Sequence, residues 1–363
     1  MLAFSINRPR KCNPWPSFNV CLVWRESIFP PEHQHITKRE TVKSPGLKFI
    51  LVTSVACAFS LLASATPLKR AEVIAHPAWL LHLDCDVLRP TDIGQYILAE
   101  MDKPGATAKL ATFQRQFHLD LRTQLHGMTL YGTSAAPEDG VLMIYADFDP
   151  AHLVSLAQAA RDYQSSPHGQ NVIHHWIDNK KPAKEGVQPR VYAAIQGNRV
   201  IFGKREESVA AVLDVLAGTT PNLASSNMFP ELGLPDSTPM VEAAAQKMKL
   251  ADSDPNAAIL KLSQSVQLVL GESGKKFHGT LTLVADSDEV AGHILSIAQG
   301  LLALSKLQND KPETVSLANA ITIAQTGSRV TGKLDLSTGE VVQIMKADAA
   351  RKAAKRAAKE AKE

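Results

Sequence analysis

Three side chains at alternate positions stand out in the run Ala78-Trp-Leu-Leu-His-Leu-Asp-Cys-Asp86: His82, Asp84 and Asp86. Along an extended strand, residues i, i+2 and i+4 share one face. A histidine with two carboxylates is a donor set that zinc accepts. The spacing supplies no fourth ligand, and Arg89-Pro90 signals that the strand is ending. His82, Asp84 and Asp86 are therefore the candidate metal residues, and a metal-dependent hydrolase centred on them is the alternative to the main reading below. Cys85 would face the opposite way, and nothing in its neighbourhood signals a lowered thiol pKa.

Other pairs have simpler explanations. Asp147 and Asp149, like Asp286 and Asp288, sit at i and i+2, so each pair would share a strand face. Asp149 precedes Pro150, which fits a helix N-cap followed by proline at the first helical position. Asp288 precedes Glu289, where acidic residues complement a helix dipole. Capping accounts for both pairs. His174 and His175 are adjacent, so on a strand they point to opposite faces and do not chelate one ion. His152 and Ser155 recur as His293 and Ser296, which points to inherited helix architecture. The chain has no Gly-x-Ser-x-Gly elbow, P-loop, His-Glu-x-x-His or dinucleotide-binding glycine pattern. No catalytic or cofactor-binding residue is assigned and no cofactor is expected.

The elements that must position these residues come as an internal repeat. Gly140-Val-Leu-Met-Ile-Tyr-Ala-Asp-Phe-Asp149 aligns with Gly279-Thr-Leu-Thr-Leu-Val-Ala-Asp-Ser-Asp288. Downstream, His152-Leu-Val-Ser-Leu-Ala-Gln158 matches His293-Ile-Leu-Ser-Ile-Ala-Gln299. Matches in the same order with small indels indicate duplication. Each copy reads as a first strand (78–85 or 240–245), helices, a hairpin, a helix, a second hairpin turning on Gly197-Asn198 or Gly327-Ser328, and a last helix from Glu206 or Thr338. Asn171–Ile177 reads as an extra edge strand. The order predicts an α+β fold of two tandem ferredoxin-like (split βαβ) halves, each with an extra strand and helix. The layout is similar to uncharacterised exported bacterial proteins built from duplicated α+β units, a resemblance that implies no activity. Alternation in Val141, Met143 and Tyr145 predicts that this strand face is covered, whereas the second copy leaves one face more open.

The boundaries follow. Residues 42–65 read as a signal peptide: Lys43 and Lys48 precede an apolar run from Phe49 to Leu62, and Ala63-Ser64-Ala65 forms a small-x-small cleavage site. The run falls short of the roughly 20 residues a membrane span needs; an uncleaved N-terminal anchor is the competing localisation. Residues 1–41 read as a non-native or disordered leader, 66–217 as the first repeat, 218–239 as a linker, 240–345 as the second repeat and 346–363 as a basic helical tail. The whole chain of 363 residues has net charge +3, but 1–65 hold eight basic and three acidic residues, which leaves 31 against 33. The tail alone carries seven Lys/Arg, three Asp/Glu and eight Ala. It is expected to extend as a helix free of the core and to adhere weakly to acidic surfaces, without specific nucleic-acid recognition. Only Cys85 survives cleavage, so no internal disulfide is available to the exported form. Together these features predict an exported, non-enzymatic binding or interaction module, periplasmic or extracellular, whose ligand the sequence does not name.

Overall fold

Apolar–polar alternation interrupted by glycine-bearing turns produces hairpins throughout the chain. One of them turns on Gly274-Lys275, both with φ near +60° (57° and 61°), the left-handed pair of a type I′ two-residue loop. The computed structural model describes residues 66–178, 188–234, 238–246, 257–307 and 312–360. The expected leader and signal segment, 1–65, lie outside the described residues.

The first half contains β1 (Trp79–Asp84), α1 (Cys85–Leu88), α2 (Asp92–Met101), α3 (Pro104–Phe117), β2 (Leu125–Gly132), β3 (Gly140–Ala146), α4 (Pro150–Gln158), β4 (Gln164–His168), β5 (Asn171–Ile177), β6 (Arg190–Gln196), β7 (Arg199–Gly203) and α5 (Glu206–Leu216). The second contains β8 (Val241–Gln246), α6 (Ala257–Lys261), β9 (Ser263–Ser273), β10 (Lys276–Ala285), α7 (Asp288–Lys306), α8 (Pro312–Asn319), β11 (Ile321–Thr326), β12 (Arg329–Ser337) and α9 (Thr338–Glu360).

The fold is α+β, and all twelve strands join one sheet in the order β11-β12-β10-β9-β8-β1-β2-β3-β7-β6-β5-β4. The halves meet where β1 and β8 pair, with His82 opposite Glu242. Outward from that junction one side runs β1-β2-β3-β7-β6 and the other β8-β9-β10-β12-β11, the same order. The ferredoxin-like order of two full split βαβ halves is not reproduced. Every ladder is antiparallel. β10 and β11, joined through α7 and α8, flank β12 as in a split βαβ unit, but β1 lies directly against β2 and β8 directly against β9, with no third strand between them. Asn171–Ile177 is also not the edge. β4 pairs outside it and carries Pro167, a residue that an edge strand tolerates.

Register fixes the two faces. One row runs through all twelve strands: Thr322, Lys333, Thr280, Val269, Glu242, His82, Thr129, Met143, Ile201, Ala194, Ile173, Ser166. In the first half this face lies beneath α5, and Val141, Met143 and Tyr145 pack with Val209, Val212 and Leu213, as expected of a covered face. Toward the second half the cover ends, and Lys333 and Thr322 are exposed. The opposite face carries α3 and α4 over Ile144, Trp176 and Val200, and α7 over Leu283 and Val330.

Residues 218–234, read as a linker, cross the covered face and bury Leu223, Phe229 and Leu232. Arg70 enters this crossing. Its guanidinium donates to the carbonyls of Leu223, Ser226, Met228, Phe229 and Leu232 at 2.8–3.2 Å. The adjacent Gly233 has φ +65°, and a Cβ there would stand 2.9 Å from Arg70 Cγ.

The basic tail also differs from expectation. Its helix begins at Thr338, Lys346 Nζ lies 5.9 Å from the Tyr96 ring centroid on α2, and Arg351 pairs with Glu313 on α8. The tail therefore binds the second half to the first. Its helix-forming composition of Ala, Lys, Arg and Glu gave its conformation, but its partners come from elements distant in sequence.

Arg70→Met strands five carbonyls and removes the cation nearest Glu242, so stability should fall by about 3 kcal/mol or more. Gly233→Ala should cost about 1–2 kcal/mol through its left-handed backbone and the Arg70 contact. Urea denaturation checks both, and protease cleavage within 223–232 should accelerate in Arg70→Met alone.

Candidate functional site

The candidate metal residues cluster where β1 ends, yet each is committed to a different task. His82 is 1% exposed. Its Nε2 lies 2.9 Å from the Thr66 carbonyl, which only accepts, so Nε2 carries the proton and Nδ1 accepts from the Thr129 hydroxyl at 2.9 Å. Burial holds the ring neutral and pulls its pKa down to about 4; the Thr66 bond opposes that shift and the Lys69 charge adds to it.

Asp84 ends the strand. Its carboxylate accepts from the backbone N–H groups of Asp86 (3.0 Å) and Val87 (2.9 Å), the N-cap of α1. Burial raises its pKa against these bonds. Because the chain turns into α1 here, Asp86 leaves the strand face, and the i, i+2, i+4 alignment breaks. Asp86 instead meets Arg89 Nη1 at 2.8 Å and His126 Nδ1 at 3.0 Å. Among the described residues no three His, Cys, Asp or Glu side chains converge as a metal site. Cys85 is an inert thiol, pushed by burial up to about 12.

His126 is the residue that sequence reasoning missed. It bridges two carboxylates, with Nδ1 on Asp86 and Nε2 on Asp147 at 3.0 Å. Burial works against its charged form, but the bonds and charges of Asp147 and Asp86 outweigh it and raise the pKa. The arrangement is a clamp across the ends of β1, β2 and β3, with a carboxylate on each ring nitrogen of His126. Its signal was the antiparallel register of β1 and β2, which puts Asp84 opposite Gly127. Glu242 was missed for the same reason. It is 1% exposed, accepts from Gly233 N–H at 2.6 Å, and burial raises its pKa against the pull of that bond and of Arg70.

The remaining candidates are placed as follows. Asp149 caps α4 through Ala151 and His152 N–H, as expected. In the second half the cap is Ser287, with Asp288 in the first turn, a shift of one residue. Asp286 accepts from Gln264. His174 is buried against the Tyr163 hydroxyl at 2.9 Å, while His175 on the other face accepts from Arg190. His152 donates to the Gln116 carbonyl, and Ser155 bonds back to Ala151. No serine–histidine pair forms there.

An open groove of about 680 Å³ lies between α8 and α9. Glu313, Ser316, Ser337, Glu340, Gln343 and Ile344 line it. The Ser337 hydroxyl donates to Glu340 at 2.6 Å and holds that carboxyl below its usual range. The lining is mainly apolar, with Glu340 and Gln343 among its polar groups beside Ile344 and Ala347. Among the described residues no helix is long and apolar enough to cross a membrane.

No protein-family model and no curated protein matches the chain. Solved structures of TP0453 are similar to it. Crystal form III gives a TM-score of 0.43 at 12% identity over 78% of this chain and 98% of that one. Crystal form I gives 0.41 at 9% over 77% and 97%.

The two central histidines should respond to pH in opposite directions. His82 has a depressed folded pKa, so its contribution is complete above about pH 6.5 and is lost as pH falls toward 4, by about 3 kcal/mol. His126 has a raised folded pKa, so its contribution is complete below about 6.5 and is lost as pH rises through the folded value. Urea melts at pH 4, 5.5, 7 and 8.5 should show His82→Gln flattening the acid limb and His126→Gln flattening the alkaline one.

Proposed function

We propose that the chain is an exported, non-enzymatic binding module built from two duplicated α+β halves, freed of its leader by cleavage after Ala65. The duplication is supported by the repeated strand order about the β1–β8 junction and by the in-order matches of 140–158 with 279–299. Export is supported by the basic and apolar pattern of 43–65. The observation that carries the binding reading is the open groove between α8 and α9. The acidic residues at the end of β1 are meanwhile occupied in capping and clamping.

The groove's chemistry selects the ligand class. Glu340 and Gln343 present polar groups to a donor-bearing molecule and Ile344 and Ala347 offer apolar contact, while Glu313 is held by Arg351. Glu340 stays ionised because Ser337 and Ser316 donate to it. A small ammonium-bearing or polyhydroxylated compound meets these requirements. Titration calorimetry with spermidine and with a neutral disaccharide tests this. At least one should bind, with a Kd raised about tenfold or more in Gln343→Ala or Glu340→Gln, roughly one charge-assisted hydrogen bond. Absence of heat with both probes would remove the groove assignment.

A further inference from the structure

We propose that Asp84 is the receptor for a new amino terminus: hydrolysis of the 65–66 peptide bond gives Thr66 an α-ammonium group that forms a buried ion pair with the Asp84 carboxylate and locks the mature fold. This rests on the export reading above. In the step, an exporting-pathway peptidase adds one water across the amide. The C–N bond breaks, a C–O bond forms on the residue 65 carbonyl, and the released amine takes up a proton.

Thr66 is already seated for this role. Its carbonyl accepts from His82 Nε2 at 2.9 Å and its hydroxyl lies 3.3 Å from Asp86 Oδ2. A Cβ on Gly127 would stand 3.3 Å from Thr66 Cγ2, so the strand below leaves room for this residue. These two contacts seat the residue at the end of β1 before any bond is cut, and the Thr66 backbone is among the groups that act on the Asp84 carboxyl.

The charge inventory shows what is missing. Three carboxylates are buried around β1, with Asp84 and Glu242 each 1% exposed and Asp86 7%. Arg89 pairs with Asp86, and Arg70 is the cation that acts on Glu242. Among the described residues no cationic side chain pairs with Asp84. In the uncut chain it receives only neutral N–H donors, and a buried carboxylate without a counter-charge is costly. An ammonium at Thr66 supplies the third cation. The other charged or titratable groups facing it are His82 on the same strand, Asp86 with its partners Arg89 and His126, Glu242 across the β1–β8 ladder, and Lys69 beyond His82.

The test uses the full chain expressed in a bacterium that exports it. Mass spectrometry first reads the amino terminus of the recovered protein. Acetylation of the α-amine by acetic anhydride is then followed from pH 6 to 10 in the wild type and in Asp84→Asn. The expected result is Thr66 at the amino terminus, reacting at least tenfold more slowly than a free peptide amine, with normal reactivity restored in Asp84→Asn. A Thr66 amine of ordinary reactivity in the folded wild type overturns the ion pair and leaves the export reading standing. An amino terminus at any other residue overturns both. Should Asp84→Asn fail to fold, the wild-type rate against the same protein unfolded in urea decides the matter.

Discussion

One guanidinium organises the centre of this protein. Arg70 lies on a single 3-10 turn, yet its five bonds gather the carbonyls of residues 223–232 into a ring around one cation. Those carbonyls belong to the crossing between halves, a stretch with little regular hydrogen bonding of its own, so the side chain satisfies backbone groups that burial would leave unpaired. Phe229 accepts φ +51° within that ring, a left-handed conformation that a bulky residue rarely adopts. Two residues on, Glu72 takes the Tyr145 hydroxyl at 2.8 Å and Arg199 at 2.8 Å. The turn thus grips the crossing on one side and the first-half sheet on the other.

The ring in turn covers a polar stripe that would be costly in any exposed arrangement of these strands. Glu242, His82 and Thr129 sit side by side across β8, β1 and β2, in a row that is otherwise apolar toward the first half. Their bonds reach the covering segments and one another: His82 to Thr66, Glu242 to Gly233, Thr129 to His82. Buried polar groups of this kind stabilise only when fully satisfied. They also specify register, because a slip of one residue would carry His82 and Glu242 to the opposite face. The junction between halves is therefore set by hydrogen bonding more than by shape.

How much of this was legible depends on distance along the chain. The hairpins around 140 and 280, the second hairpins turning on Gly197 and Gly327, and the helix starts at Pro150, Glu206 and Thr338 follow from alternation, turn glycines and caps, all local signals. β4 was hidden because Ser165-Ser-Pro-His168 lacks the apolar alternation of a strand and is stabilised by its edge position. The direct pairing of β1 with β2 and of β8 with β9, which departs from the ferredoxin-like order, depends on which strands pair, which periodicity does not encode. The same limit applies to the site. His82 was correctly placed on a strand, but Asp86 was carried onto its face because the cap at Asp84, which starts the short helix Cys85–Leu88 before Pro90, was not foreseen. His126 and Arg70 act on partners about 20 to more than 150 residues away, and no spacing rule joins them.

The two halves share a strand order and differ in what covers it, and that difference locates the surfaces left for recognition. In the first half α5 covers one face, α3 and α4 the other, and β5–β4 closes the outer edge of β6. That closure is tied down where Ser166 meets Glu206 and His168 meets Asp214 at 2.8 Å. There β4 forms the sheet edge, and Val172 on β5 is 45% exposed. Among the described residues the second half has no counterpart of β4–β5, so β11, the equivalent of β6, is itself the edge, and Lys333 and Thr322 stand in solvent beside it. Its helices cover one face incompletely, leaving Leu301 40% and Leu304 62% exposed on α7. The groove between α8 and α9 opens in this thinly covered half, while the buried charges concentrate at the junction. Stability and accessibility are thereby separated along a single sheet: the centre is held by satisfied polar groups, and the open surface lies at the end where few of them are needed.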